Sequence, residues 1–410
     1  MTNRLLSLAL ALAALGASAQ QLPTVPWRAV TSNVTSTRAG DPTLLSMPLP
    51  DGGPVVDLVL GTDLAQVGVY AWSTDGALRQ VLATGIVSSA DSRGRVVVAT
   101  QPGGNLLLLS LGEDGGLGSL SASTLSVPSP SHAALRELGD GGYELWLDTS
   151  SPTLQKYTLS FPPNGSPVLT SIGPAYVVPE RPAGLAVDDR SGRLYVSQPN
   201  LGVVTIETDG TTDFLLSIDG GELGDGLGGI DLFPAADGRT FLFTAVPASE
   251  LVSVHVVPQS GTPTFGGQFH VGAPDGGNAR AALPSFLDVM ERPFGAPDGG
   301  FERGALVVQD GVVGDYKLVA LADVDAVVPL PPAWIRGGSG GGGGGTGGGG
   351  GFGGGGGGSG GGSSVAGGSG NPSPTPPSVP KNPVGCGCGE APLVFLPALA
   401  LLWWIRRSRS

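Results

Sequence analysis

The residue types able to do chemistry are few in this chain, and their spacing excludes most common reactions. Its only two cysteines, Cys386 and Cys388, sit one residue apart near the C-terminus. Two thiols alone make a poor metal cage, and no disulfide framework can form elsewhere. The three histidines, His132, His255 and His270, have no metal-ligand spacing. His255 lies in an alternating strand pattern and reads as a surface or core-edge residue. A G-x-S-x-G match occurs only in a glycine tract, where no strand-turn-helix elbow can raise a serine nucleophile. That tract also lacks the strand and helix that flank a phosphate-cradling loop. Asp-Gly-Gly turns recur at Asp51, Asp114, Asp140, Asp275 and Asp298. They lack the D-x-D-x-D-G spacing of a calcium loop, so hairpin or loop turns are expected.

The two ends concern address rather than catalysis. Arg4, the apolar run Leu5 to Leu15 and the small-x-small stretch Ala17-Ser18-Ala19 predict a signal peptide over 1–19, cleaved after Ala19 by signal peptidase. Residues 337–384 form a Gly/Ser-rich and then Pro-rich segment, expected to be a disordered linker because it has no apolar area to bury. The apolar run Ala391 to Ile405 is shorter than the ~20 residues of a normal membrane span. Arg406, Arg407 and Arg409 would hold its far end in the cytoplasm. A tail-anchored protein that keeps this run is the alternative.

Between the ends, residues 22–336 are long enough for a large core. The net charge of −13 argues against nucleic acid and against anionic membrane surfaces as partners. An apolar strand ending in a small or polar pair recurs six times: Leu58, Val96, Glu144, Leu194, Phe241 and Leu306 open the copies. All but the last interval are roughly 40–50 residues, a propeller-blade period. After them come second strands from Val67, Asn105, Leu154, Gly202, Leu251 and Tyr316. The predicted fold is all-β, a six-bladed β-propeller, followed by the Gly-rich linker and a short C-terminal hydrophobic helix. A β-sandwich would not accommodate so many units.

Two resemblances add to this reading. Residues 385–410, with Gly385-Cys386-Gly387-Cys388-Gly389, the apolar run and the arginines, resemble the MYXO-CTERM sorting signal. The resemblance implies processing by a myxosortase-type protease, lipidation near Cys386 or Cys388, and anchoring of an exported domain on the outer surface of the cell envelope.

Collinear segments of the middle region resemble the β-propeller phytases, calcium-dependent phosphatases. They are Gly40-Asp41-Pro42, Leu58 to Asp63, Ala90-Asp91-Ser92-Arg93, Ala183 to Asp189 with Gly192 to Val196, Gly228 to Gly238, Leu287-Asp288-Val289, Pro293-Phe294-Gly295, Leu306 to Gly311, and Tyr316 to Val319. The resemblance implies calcium as cofactor, a phosphorylated small-molecule substrate and metal-assisted hydrolysis of phosphate monoesters. Carried over by position, Asp91, Arg93 and Asp310 are candidate catalytic residues. Asp41, Asp91, Asp288 and Asp310 are candidate metal ligands. Asp188 and Asp189 are also retained, and blade aspartates often cap turns. Several family ligand positions differ, holding Leu64, Pro102, Ala183, Gln198, Pro199, Gly226, Gly228 and Ser285. A non-catalytic propeller for binding or scaffolding is therefore the second reading.

Overall fold

Each of the six recurring apolar copies forms a strand buried along most of its length. The computed structural model describes residues 22–31, 40–48, 55–62, 68–112, 114–120, 125–127, 130–163, 166–218, 223, 226–274, 282–295 and 299–334. By contacts the chain divides into Met1–Gly341 and Gly342–Ser410, and the second unit lies outside the described residues, as do Ala19, Cys386 and Cys388.

Two short N-terminal strands, β1 (Thr24–Pro26) and β2 (Ala29–Val30), precede the blades. Blade I is β3 (Thr43–Pro48), β4 (Val55–Thr62), β5 (Gly68–Trp72) and β6 (Leu78–Ala83). Blade II is β7 (Ser89–Arg93), β8 (Val96–Gln101), β9 (Asn105–Leu111) and β10 (Leu117–Ser119), with β11 (Leu125–Ser126) also pairing β9. Blade III is β12 (Ala133–Glu137), β13 (Tyr143–Asp148), β14 (Thr153–Ser160) and β15 (Val168–Val177). Blade IV is β16 (Gly184–Val187), β17 (Leu194–Gln198), β18 (Gly202–Ile206) and β19 (Thr212–Ser217). Blade V is β20 (Ile230–Pro234), β21 (Thr240–Val246), β22 (Leu251–Val257) and β23 (Thr264–Gly272). Blade VI is β24 (Pro284–Met290), β25 (Ala305–Asp310) and β26 (Tyr316–Ala320), followed by a short helix α1 (Leu321–Asp325). The six sheets form a six-bladed propeller. The six recurring copies are the second strands of the six blades, and their partners are the third strands.

Each inner strand touches both neighbours: β3 meets β7, β7 meets β12, β12 meets β16, β16 meets β20, β20 meets β24, and β24 returns to β3. Closure comes from the N-terminus. Strand β2 pairs antiparallel with β26 as the fourth strand of blade VI. Strand β1 adds in parallel to the outer strand β23 of blade V. The sequence reading counted neither strand.

Period-2 alternation explains why the second strands are apolar throughout rather than on one face. On β8, Val97 and Ala99 pack toward blade I, whereas Val96 and Val98 pack toward blade III. Six apolar clusters fill the six interfaces in this way. Outer strands meet water, and β15 is exposed along most of its length.

Two expectations can be checked at single residues. The Asp114 and Asp140 turns are hairpin turns: each carboxylate accepts the N–H two residues on, from Gly116 and Gly142, at 3.0 Å. Asp51, Asp275 and Asp298 fall outside the described residues. His255 is not at the surface or core edge; it is fully buried, its ring edge-on to Phe265. The reason is that both faces of β22 pack on neighbouring blades, and alternation sets His255 on the face of Leu251 and Val257, toward blade IV.

Candidate functional site

The six inner strands surround an axial channel, and their side chains decide what it can hold. Asp91 on β7, Asp231 on β20 and Asp288 on β24 each project from an inner strand flanked by mostly non-polar neighbours. Each carboxylate bonds the backbone of the next inner strand. Leu135 N–H of blade III donates to Asp91 Oδ2 at 2.6 Å. Val289 N–H of blade VI donates to Asp231 Oδ2 at 2.6 Å. Leu44 N–H of blade I donates to Asp288 Oδ2 at 2.6 Å. Ser92 completes this layer by donating from Oγ to Leu44 O at 2.9 Å. Bonds from a backbone N–H to a charged oxygen are the strong kind, and here they tie blades together.

Arg93 lies among these acids. Its Nη1 is 3.1 Å from Asp91 Oδ1, its Nε is 3.3 Å from Asp189 Oδ2, and Nη1 donates to Ser92 O at 2.8 Å. Two small cavities share Arg93 and Asp288 in their walls. One, of about 40 Å³, is lined by the starts of inner strands, including Asp41, Asp91 and Asp231. The other, of about 60 Å³, is lined by their ends, including Asp189, Glu291 and Arg292. The charged layer thus divides the channel between its two ends.

Burial shapes the charges. It pushes Asp41 up to about 6, against the opposing pull of His132. It pushes Asp288 up to about 6 as well, and raises Asp91 despite the neighbouring Arg93. Asp231 is raised well above its ordinary value, first by burial and then by the charge of Asp288. Burial works against the Arg93 charge, but Asp91, Asp189, Asp231 and Asp288 together hold it well above the ordinary arginine range.

Of the residues singled out in the sequence, Asp41, Asp91, Arg93, Asp188, Asp189 and Asp288 therefore line the channel cavities. Asp310 does not line either channel cavity. It ends β25, where its Oδ1 accepts Val312 N–H at 3.1 Å and Leu283 N–H at 3.3 Å. Asp188 caps a turn, accepting Arg190 N–H at 2.8 Å and Thr240 Oγ1–H at 3.0 Å. Burial would raise its pKa, and the Arg190 contacts lower it instead. Asp189, next along, reaches Arg93.

Sequence reasoning missed Asp231. A signal was present, since Ile230-Asp231-Leu232 has the same placement of Asp in an apolar segment ahead of a second strand as Leu287-Asp288-Val289. It also missed the pairing of His132 with Asp148. Fully buried Asp148 accepts Ser131 N–H at 2.5 Å, His132 N–H at 2.8 Å and contacts His132 Nδ1 at 3.0 Å. Burial opposes the imidazolium, but this bond with the charges of Asp41 and Asp148 raises His132 overall.

Whether these donors suit calcium can be tested on their free lone pairs. A calcium ion takes six to eight oxygens. Among the described residues no group of three or more His, Cys, Asp or Glu is placed to hold a metal. Asp91 Oδ1 accepts Ser92 N–H at 2.7 Å as well as facing Arg93, and the carboxylates of Asp231 and Asp288 each hold a backbone N–H. Two buried carboxylate oxygens near the axis lack a hydrogen-bond partner, Asp41 Oδ1 and Asp189 Oδ1. They line different cavities. The residues present do not fit a calcium cage.

No family model and no curated protein matches the chain. Among solved structures it is similar to BBS1N in complex with ARL6DN, soaked with lead, at 13% identity and a TM-score of 0.42, over 68% of this chain and 76% of that one. It is also similar to the SapL1 lectin in complex with alpha methyl fucoside, at 15% identity and a TM-score of 0.44, over 72% and 97%.

Proposed function

We propose that this chain is an exported propeller, tethered to the cell envelope by its linker and C-terminal segment, that works by binding rather than by catalysis. One observation carries the reading. The axial carboxylates spend their oxygens on neighbouring inner strands and on Arg93, so they act as fasteners between blades. A hydrolytic metal centre needs those oxygens free for cations and for an activated water. The tether is a separate part of the proposal, tested by the mass of the mature chain.

A second reading, a phytase-like phosphatase acting on phosphate monoesters, draws support from the convergence of Asp41, Asp91, Arg93 and Asp288 on one channel. Assay of the purified chain against phytate and p-nitrophenyl phosphate, with and without millimolar calcium, separates the two. The binding reading expects no calcium-dependent phosphate release. Calcium-dependent turnover that disappears in Asp91→Ala would overturn it in favour of the phosphatase.

A further inference from the structure

The misfit between the axial acids and calcium has a counterpart in what stands among them. Four blades send one carboxylate each toward Arg93: Asp91 from blade II, Asp189 from blade IV, Asp231 from blade V and Asp288 from blade VI. Carboxylates gathered out of water need a counter-charge or a proton. Asp231 and Asp288 line one cavity together with Arg93, so their charges share the guanidinium as a neighbour. Asp91 and Asp189 belong to blades two apart in the ring, and the guanidinium reaches the first through Nη1 and the second through Nε. A planar fork with donors on two edges can do this, whereas a single ammonium cannot serve both with the same geometry.

We propose that Arg93 is the resident cation of this propeller: its guanidinium takes the place a divalent ion would need, and closure of the ring requires no metal. This goes beyond the binding reading, since a ring closed by arginine is compatible with any ligand or with none. It also explains why Ser92 and Asp91 hold the arginine from its own strand. The bonds from Ser92 N–H to Asp91 Oδ1 and from Arg93 Nη1 to Ser92 O hold the guanidinium from within blade II.

The test is thermal unfolding of the full chain in calcium and in EDTA, for the natural protein, Arg93→Lys and Arg93→Gln. The natural protein is expected to keep one Tm in both conditions. Arg93→Lys keeps the charge but loses one of its two acid contacts, so its Tm drops and calcium does not restore it. Arg93→Gln leaves the acids without a cation. Its Tm drops further and climbs again with calcium, by about 4 °C once calcium is ~100-fold above its Kd. Isothermal titration with calcium should give binding to Arg93→Gln and none to the natural chain. A natural protein whose Tm rises in calcium or falls in EDTA overturns the proposal. So does an Arg93→Gln protein that calcium leaves unmoved, or one that stays unfolded in calcium and in EDTA alike.

Discussion

At the scale of the residue, the axial aspartates make a statement about pH. Asp41 and Asp288 sit at about 6, well above the ordinary value near 3.8, and burial is the first cause in both. A carboxyl raised on folding takes up a proton more readily when folded than when unfolded. Its contribution to stability is fully present below the unfolded value and is lost as pH rises through about 6. His132, raised on folding, has the same sign near neutrality. Asp188, lowered on folding, loses its contribution only below the ordinary carboxylate range and does not oppose this between pH 5 and 7.5. Stability should therefore increase on going from about pH 7.5 to about pH 5, by on the order of 2 kcal/mol. Thermal melts at the two pH values measure it, and Asp288→Asn should shrink the difference. A Tm that is flat or falls toward pH 5 would contradict the burial of these groups.

Elements meet at seams, and at the seam between blades VI and I the side chain of Tyr316 adds to the Asp288 bond. The hydroxyl of Tyr316 on β26 donates to Gly40 O at 3.1 Å and accepts Thr62 N–H at 3.2 Å. Its ring lies against Gly61 of β4, where an added Cβ would fall inside the van der Waals envelope of the ring. The ring cannot retreat, because Trp72 packs on it with centroids 5.4 Å apart. Gly61→Ala is expected to lower stability by about 1–3 kcal/mol, the usual range for overpacking. Denaturant titration would show it, and an unchanged midpoint would mean that the seam yields more easily than its contacts indicate. Gly61 belongs to a segment conspicuous in the sequence, yet its role depends on a residue 255 positions later in the chain. No local pattern announces that partner. Legibility varied by strand for a similar reason. Second strands are buried along most of their length and read as mainly apolar runs, such as Val96-Val97-Val98-Ala99. Inner strands such as Ser89-Ala90-Asp91-Ser92-Arg93 carry channel-facing polar side chains and read as loop. Their membership in a sheet becomes visible only when the ring is assembled.

For the whole molecule, the propeller and its address are separate questions. The tether rests on residues outside the described structure, and the fate of the two ends is a matter of mass. Mass spectrometry of the mature chain should find neither the segment before Gln20 nor the Arg409-Ser410 end, with added mass on Cys386 or Cys388 if the thiol is lipidated. An intact Arg409-Ser410 terminus would end the processing idea and leave a tail-anchored protein.

The sequence by itself determined the number of blades, because each second strand must bury both faces and so repeats as one apolar run per blade. It also determined the Asp-Gly turns at Asp114 and Asp140, whose bonding is confined to two residues. Only the tertiary structure decided that β1 and β2 close the ring from the far end of the chain, and that His255 is buried between blades. It alone decided that Asp91, Asp231 and Asp288 fasten blades while Asp310 caps a loop. Those assignments depend on which backbone N–H lies opposite each carboxylate, and that is set by strands distant in sequence.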